Sequence, residues 1–353
     1  MTREGRDLPG WLRCAGGTAG WLAVIAICGQ VMPSTDLFVA AGILVSILYA
    51  QSVSFSIGFG GVATFGNQAF YGAAGYLVAW LSLNAHIQNA LLLLVIGLAA
   101  GVVGSALTVF LVRGQTGFVF GMLTLAIGQT VYEFVSGTSY VGGSGGYAGV
   151  ARGSLLGIDL NNGLAFYWFL AILVAIVTIV LFAVRSSAYG RILSALRQNV
   201  VRVETLGVPV NRYKGVAVLF SGGLAGIAGA MYAITYSSVD PSMFYWVAGA
   251  APILAGILGG MRTLIGPIVG ATIYGGVIYA FSLTADIGQL YVSLIVLGLF
   301  LLMPDGVVPA VTAGARLLLR RLPALPGTGQ PPPSPPEARA RPSARHVAAE
   351  RKA

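Results

Sequence analysis

A glycine-rich segment inside an apolar stretch holds the residues best suited to bind a small ligand. Its sequence, FSIGFGGVATFGNQAFYGAAGYL, covers residues 55–77. Frequent glycine can break a helix there, so that backbone N–H groups and a helix start bind a carboxylate without any buried charge. Tight packing of small residues explains the same composition equally well. The candidate ligand-path residues combine glycines with three polar side chains: Gly58, Gly60, Gly61, Thr64, Gly66, Asn67 and Gln68.

Little other chemistry is visible within the apolar stretches. No acid, Lys or Arg falls at the middle of any apolar stretch that is long enough to cross a membrane. Glu133 and Asp286 lie near the ends of such stretches. This argues against a proton-coupled carrier, which usually needs an intramembrane ionisable group. The 2 cysteines and 2 histidines are isolated and indicate neither a disulfide framework nor a metal site. We therefore predict no catalytic and no metal-binding residues, and a membrane enzyme is disfavoured.

The sequence also lacks a nucleotide site of its own. Lys214 and Lys352 are the only lysines, and neither follows a glycine-rich loop of the kind that cradles phosphates. If ATP drives the activity of this chain, another polypeptide must hydrolyse it.

A second glycine cluster lies in the polar loop GTSYVGGSGGYAGV, residues 137–150. Such a composition predicts a compact, flexible loop. It can line an entrance or contact an external protein, or it can be a simple connector. The candidate residues of this outer loop are Gly142, Gly143, Ser144, Gly145 and Gly146.

The longest polar interruption, residues 185–214, predicts one amphipathic helix of roughly five turns. Ser186 or Ser187 can cap its start, and Gly207 can adopt the left-handed conformation that ends it. The segment contains six cationic residues and a single acid, Glu204. A helix resting on the lipid surface has the same composition. The predicted apolar stripe consists of Ile192, Leu196, Val200, Val203 and Leu206.

Composition indicates an all-α, polytopic membrane protein that positions these segments. The chain is 56% apolar and only 9% charged, whereas soluble domains carry about 25% charged residues. Apolar runs long enough to cross a bilayer predict ten transmembrane helices. They lie at about 16–33, 37–57, 62–83, 89–112, 116–135, 164–184, 215–236, 243–260, 264–283 and 288–303.

The charge distribution predicts the orientation of these spans. With a cytoplasmic amino terminus, all but Arg152 of the 20 Lys and Arg residues fall on the inside, together with the carboxyl terminus. The net charge of +9 then reflects membrane topology and not a nucleic-acid partner. The eighth span is short and contains Pro252, so it can be re-entrant.

Three regions follow from this pattern. Residues 1–15 form a cytoplasmic amino terminus, 16–310 a transmembrane domain with the cytoplasmic loop 185–214, and 311–353 a basic, proline-rich tail. The tail has too few bulky apolar residues to bury a core, so we expect it to be disordered. The segment 16–33 also resembles a signal peptide, but no convincing cleavage site precedes Pro33.

Five motifs, in order over about 40–310, resemble those of LivM-type permeases, the inner-membrane subunits of ABC importers for branched-chain amino acids. Each motif is weak alone, and their common order makes the resemblance specific. The segments are GFGGVATFGNQAFYGAAGY at 58–76, TSYVGGSGGYAGV at 138–150, the loop and span at 190–233, ILGGMRTLIGPIVGATIYG at 257–275, and MPDGVV at 303–308.

The resemblance implies a permease that is not itself an enzyme and binds no cofactor. Its partners would be a LivH-like second permease, two ABC ATPase subunits that hold ATP and Mg, and an external solute-binding protein, all at the bacterial plasma (inner) membrane. The 185–214 helix would dock into the ATPase through Arg191, Arg197, Glu204 and Gly207.

The sequence departs from the family pattern at three positions. Asn67 replaces the usual His, Thr64 or Ala63 the usual Ser, and Thr205 the usual Ala of the coupling core. Because the first two departures lie in the candidate ligand path, the substrate stays open. Importers of urea and short amides belong to the same superfamily and are the main alternative, and an ion-coupled secondary transporter is a further one.

Overall fold

The structure is a computed structural model that describes residues 34–112, 114–115, 117–155, 157–282, 294, 296–298, 301 and 306–312. The predictions for residues 1–33, for 313–353 and for most of the last span lie outside these residues. The ten-span count therefore stays a prediction.

The described chain is almost entirely helical. Its only strands are four of two residues each. The helices are α1 (Ser34–Ser54), α2 (Asn67–Asn84), α3 (Ala90–Leu111), α4 (Gly117–Gly137), α5 (Gly163–Ser186), α6 (Ala188–Gln198), α7 (Val200–Thr205), α8 (Val210–Tyr236), α9 (Trp246–Gly259) and α10 (Gly266–Ser282).

Within the described residues, five helices are long and apolar enough to cross a membrane: the α1 region Asp36–Phe59, α3, α4, α5 and α8. The shorter α9 and α10 are also apolar. Large apolar side chains such as Val103 and Phe110 are exposed on α3, as expected for a surface that faces lipid. The chain is therefore a multi-pass helical membrane protein.

α1 and α2 are joined by an unwound segment. α1 passes into a π-helical stretch, Phe55–Phe59, and residues 61–66 have no regular structure before α2 begins at Asn67. Gly61 has a φ of +60°, which glycine adopts without strain. Both expectations for this segment are met, because the helix is interrupted and glycines such as Gly58 and Gly66 are closely packed. The continuous span predicted for 62–83 is wrong because its first five residues are not helical.

Small residues bring α3 and α8 into backbone contact. A Cβ atom added to Gly101 would collide with the carbonyl oxygen of Gly222, and one added to Gly226 would collide with that of Gly97. Close backbone approach of this kind is how helices pack tightly in lipid. We call this contact the α3–α8 glycine interface.

The polar interruption forms two helices, α6 and α7, so the prediction of a single helix is wrong. Asn199 between them is extended, with φ −158° and ψ 103°, and its side chain accepts a hydrogen bond from the Arg202 N–H. It thus ends one helix and caps the next. Ser187 caps α6 by accepting from the Gly190 N–H, and Gly207 has the predicted left-handed φ of +80°.

The change of direction at Asn199 also breaks the predicted apolar stripe. Leu196 and Val203 are buried as expected, and Leu193, which was not in the stripe, is 1% exposed. Leu206, which follows the end of α7, is 76% exposed. The apolar face of α6 therefore packs on α5, α8 and the π-helical stretch of its own chain.

The loop between α4 and α5 is tied to the end of α8. Its first strand, β1 (Tyr147–Ala148), pairs antiparallel with β4 (Ser238–Val239). A separate hairpin joins β2 (Ser154–Leu155) to β3 (Ile158–Asp159).

Candidate functional site

Uncharged polar side chains form a buried seam along the break between α1 and α2. The Ser52 hydroxyl donates to the Ser221 carbonyl, and the Ser221 hydroxyl donates to the Ser52 carbonyl, each at 2.9 Å. The Asn67 amide donates to Ser221 Oγ at 3.3 Å, and the hydroxyls of Ser56 and Thr64 lie 2.9 Å apart. We call these five residues the polar seam.

The start of α2 lies at mid-depth in the helix bundle. Asn67, its first residue, contacts Ser221, which is near the middle of the 27-residue α8. No side chain caps this start, because the residue before it is Gly66. The chain just before it is held by the Phe65 N–H, which donates to Thr124 Oγ1 of α4 at 3.2 Å. A helix start with free N–H groups attracts negative charge.

Several polar atoms beside this helix start lack a protein partner. Asn67 Oδ1 and both polar atoms of Gln68 are buried without a hydrogen bond. The Gln68 side chain is 1% exposed and lies between α4 and α9. Only glycine leaves room for it there, because a Cβ added at Gly128 would lie 2.8 Å from its amide group and one added at Gly249 would lie 2.5 Å from it. A buried polar group without a partner costs about 1–3 kcal/mol, so these atoms are suited to contact water or a ligand.

A cavity of about 180 Å³ is lined by residues that lie about one helical turn from the seam along α1 and α2. Tyr49 and Tyr71 stack in its wall with ring centroids 4.3 Å apart, and the rings of Tyr232 and Tyr236 lie 4.5 Å apart. The Tyr49 hydroxyl is buried without a partner. We call this space the tyrosine cavity, and it is lined by Gly42, Val45, Ser46, Tyr49, Tyr71, Tyr232, Tyr236, Ser242, Met243, Ala248, Ala251, Pro252, Ala255, Ala271 and Tyr274.

At the other end of α1, a polar cavity of about 450 Å³ brings three arginines together, Arg185, Arg197 and Arg262. The Arg185 guanidinium lies 4.6 Å from the centroid of the Phe59 ring. Arg197 donates a 2.6 Å hydrogen bond to the Gly58 carbonyl. Burial, and then the charge of Arg262, lower the pKa of Arg197. The three arginines were predicted to lie on the same side of the membrane, and this cavity places them together.

Comparison with known proteins decides the class. Residues 36–304 match the family described as "Branched-chain amino acid transport system / permease component". The chain belongs to this permease family. Its relatives include the high-affinity branched-chain amino acid transport system permease protein LivM of Salmonella typhimurium and of Escherichia coli. Each is 24% identical over 317 residues, or 82% of this chain and 73% of the relative.

A third relative extends the comparison to another cargo. The ribose import permease protein RbsC of Haemophilus influenzae is 27% identical over 150 residues, which cover 41% of this permease and 44% of the relative. No solved structure matches the permease significantly.

The four predicted coupling residues lie in different surroundings. The Arg191 guanidinium is exposed and donates to the Ser186 carbonyl at 3.0 Å, whereas Arg197 contacts the unwound segment of the permease itself. Glu204 is exposed on α7, and Gly207 ends that helix with its N–H donating to the Glu204 carbonyl. Only Arg197 links the loop directly to the candidate ligand path.

The candidate ligand-path glycines lie where side chains do not fit. A Cβ at Gly58 would collide with the Met261 carbonyl, and one at Gly66 with that of Thr124. A Cβ at Gly60 would lie 2.6 Å from the Ser56 carbonyl oxygen.

The outer-loop residues form short turns against the end of α8. Gly142, Gly143 and Gly146 all have positive φ, and a Cβ at Gly146 would collide with the Val239 carbonyl. Ser144 and Gly145 are exposed. Whether this loop contacts an external protein stays a prediction.

Two features were missed by the sequence analysis. The tyrosine cavity joins residues from five separated parts of the chain, and only the spacing of Tyr232 and Tyr236, one turn apart on α8, signals it. The exposed Val201 at the start of α7 was not in the predicted stripe, whereas Val200 and Leu206, which are also exposed, were assigned to it. Among the described residues, no group of three or more His, Cys, Asp or Glu side chains could hold a metal ion.

Proposed function

We propose that this chain is one permease half of an ATP-driven importer for branched-chain amino acids in the bacterial inner membrane, with both termini in the cytoplasm. The observation that carries the proposal is the unwound segment between α1 and α2, which places neutral polar groups and a helix start inside an apolar bundle. Membership of the permease family supports the same conclusion.

The polar seam suits a zwitterion with an apolar side chain. Transporters use broken helices in this way, with a helix start directed at the carboxylate of the substrate. Here the start of α2 and the unpaired Asn67 and Gln68 atoms offer hydrogen bonds without a fixed charge. Such a site holds its substrate weakly, which suits handover and release across the membrane.

The energy would come from two ABC ATPase subunits that bind ATP and Mg, since the sequence has no phosphate-binding loop. Val200 and Val201 are exposed at the start of α7, Leu206 is exposed just after its end, and the exposed Glu204 lies between them. Exposed apolar side chains on a short helix can dock into a groove of a partner. Arg197 would transmit movement of the docked loop to the unwound segment through its hydrogen bond to Gly58.

The rest of the assembly would be a LivH-like second permease and an external solute-binding protein. The glycine loop at residues 142–146, held against β4 through β1, is the surface we assign to the binding protein.

Two alternatives are less well supported. Urea or short amides would also fit a neutral path, but the two LivM relatives are named for branched-chain amino acids. An ion-coupled carrier usually needs an ionisable group within the membrane, and within the described residues Asp36 and Glu133 lie near the ends of α1 and α4.

The test is uptake of L-leucine by proteoliposomes that contain the complete assembly. We expect uptake to require ATP and to be competed by valine and isoleucine but not by urea or acetamide. Glu204→Arg should lower uptake at least about ten-fold, because a reversed charge at a docking surface costs several kcal/mol. Glu204→Ala is the matched control and should have a smaller effect.

Three outcomes would contradict the proposal. Unchanged uptake by the Glu204→Arg variant would remove the docking role of α7. Uptake by the purified single chain without an ATPase would favour an ion-coupled carrier. Competition by urea or acetamide but not by valine would reassign the substrate.

A further inference from the structure

The lining of the tyrosine cavity restricts what it can bind. It contains no Asp, Glu, Lys, Arg or His among its described residues. A metal ion would lack anionic oxygen ligands there, and a phosphate would lack a cation. The cavity therefore suits a small organic molecule better than a metal ion or a phosphate.

Two acceptor oxygens and the aromatic rings favour a cationic group within that molecule. The Tyr49 hydroxyl is buried and has no partner. Pro252, inside α9, has no N–H to donate to the carbonyl of Ala248 four residues earlier, and both residues line the cavity. Faces of tyrosine rings also attract cations, most strongly where water is excluded.

The rest of the wall is apolar and matches an aliphatic body. Val45, Ala251, Ala255 and Ala271 contribute methyl groups. The volume of about 180 Å³ is far more than one water molecule requires. That space accommodates one small branched-chain molecule.

The cavity continues the candidate ligand path. Tyr49 lies three residues before Ser52, and Tyr71 lies four residues after Asn67, so each is about one helical turn from the polar seam. Ser242 and Met243, in the wall, follow β4, which pairs with the outer loop. The cavity thus lies between that loop and the seam.

We propose that the tyrosine cavity is a binding site for the ammonium group and aliphatic side chain of an amino acid on its way to the polar seam. The identity of the amino acid rests on the proposed function. Recognition of the ammonium group does not depend on the proposed function, and a binding experiment tests it without measuring transport.

The experiment measures binding to the purified assembly, without ATP, by saturation-transfer NMR. The probes are L-leucine, isoamylamine, which lacks the carboxylate, and 4-methylpentanoate, which lacks the ammonium group. We expect isoamylamine to compete with leucine, and 4-methylpentanoate to bind at least about ten-fold more weakly, as for loss of a hydrogen bond to a charged group.

Tyr49→Phe and Tyr76→Phe form a matched pair of variants. Both tyrosines are buried and both hydroxyls lack a partner, but Tyr76 does not line the cavity. We expect Tyr49→Phe to weaken binding of leucine and isoamylamine about ten-fold, and Tyr76→Phe to change neither. Ala251→Leu should abolish binding by filling the space. A purely structural role predicts the same result for both tyrosines.

Equal binding to wild type and Tyr49→Phe would overturn the proposal, as would tight binding of 4-methylpentanoate or no saturable binding of isoamylamine to wild type. ATP-dependent leucine uptake together with any of these results would leave the proposed function intact. Isoamylamine binding that depends on Tyr49, in an assembly that does not import leucine, would support the site and contradict the proposed function.

Discussion

Two glycine-rich regions of this permease lie inside the helix bundle and behave in opposite ways. At the α3–α8 glycine interface the helices stay regular, and glycine only brings the backbones of Gly101 and Gly222 together. Between α1 and α2, at residues 55–66, glycine accompanies a π-helical stretch and a loss of regular structure.

The neighbouring side chains account for the difference. Beside Gly222 and Gly226 the partners are Gly97, Gly101 and Ser105, so the gain comes from close packing. The unwound segment instead carries Ser56 and Thr64, whose hydroxyls lie 2.9 Å apart, and its Phe65 N–H donates to the Thr124 hydroxyl, so polar side chains take up hydrogen bonds where the helix is lost. Glycine therefore permits either outcome, and nearby polar side chains decide which occurs.

The largest effect is expected at the rigid interface. Gly101→Ala should lower the free energy of unfolding by about 2–3 kcal/mol, because the new Cβ collides with a backbone carbonyl that cannot move alone. Thermal unfolding in detergent measures this. Gly276→Ala on α10, where nothing lies within 4 Å of the added Cβ, is the control and should be neutral or stabilise by up to about 1 kcal/mol, because alanine favours the helix. Equal effects of the two substitutions would refute close packing at this interface.

The next effect concerns the joint between α6 and the unwound segment. Arg197→Gln removes the charged donor to the Gly58 carbonyl and should lower ATP-dependent uptake about ten-fold while ATP hydrolysis continues, as for loss of a charged hydrogen bond. Arg191→Gln should have less effect, because that guanidinium contacts only the nearby Ser186 carbonyl. If both variants transport equally well, Arg197 has no special role.

Much of the helical framework was predictable because apolar runs alternate with polar breaks. The spans predicted at 89–112 and 164–184 differ from α3 and α5 by one or two residues at each end. The break at 55–66 was predictable from its glycines and polar residues. The kink at Asn199 was not, since apolar spacing continued through it, although Asn is a good cap for a new helix.

The tyrosine cavity could not be predicted, for a physical reason. Its rings come from α1, α2, α8 and α10, whose spacing in the sequence says nothing about which helix faces meet. Burial of Leu193 and exposure of Leu206 likewise depend on tertiary packing and not on the local sequence pattern.

A smaller effect is expected within the unwound segment. Thr64→Val removes the contact with the Ser56 hydroxyl and should lower the free energy of unfolding by about 1 kcal/mol. The loss is limited because Ser56 also donates to the Val53 carbonyl. Thr130→Val, at an exposed threonine bonded within its own helix, should be neutral. No difference between the variants would show that this hydrogen bond does not hold the segment.

The smallest effect is expected at the contact between α6 and α8. Burial, and then the neighbouring Tyr213, raise the pKa of Tyr189 from 10.0 to about 12, and its hydroxyl donates to the Tyr213 carbonyl at 2.9 Å. The folded state favours the neutral phenol of Tyr189. The contribution of this side chain to the stability of the fold is therefore complete below pH 10 and is lost as the pH rises through about 12.

The measurement is thermal unfolding as a function of alkaline pH. We expect Tyr189→Phe to show a shallower loss of stability between pH 10 and 12 than wild type. An identical slope in the two proteins would exclude this contact as the titrating link.

α8 spans 27 residues, or about 40 Å. Close to its midpoint, Gly222 and Gly226 pack against α3 at the α3–α8 glycine interface. One end follows directly after α7, and the other carries Tyr232 and Tyr236. If α8 tilts about this contact, its two ends move in opposite directions. A modest tilt applied at Val210 would widen the bundle on one face of the membrane while narrowing it on the other.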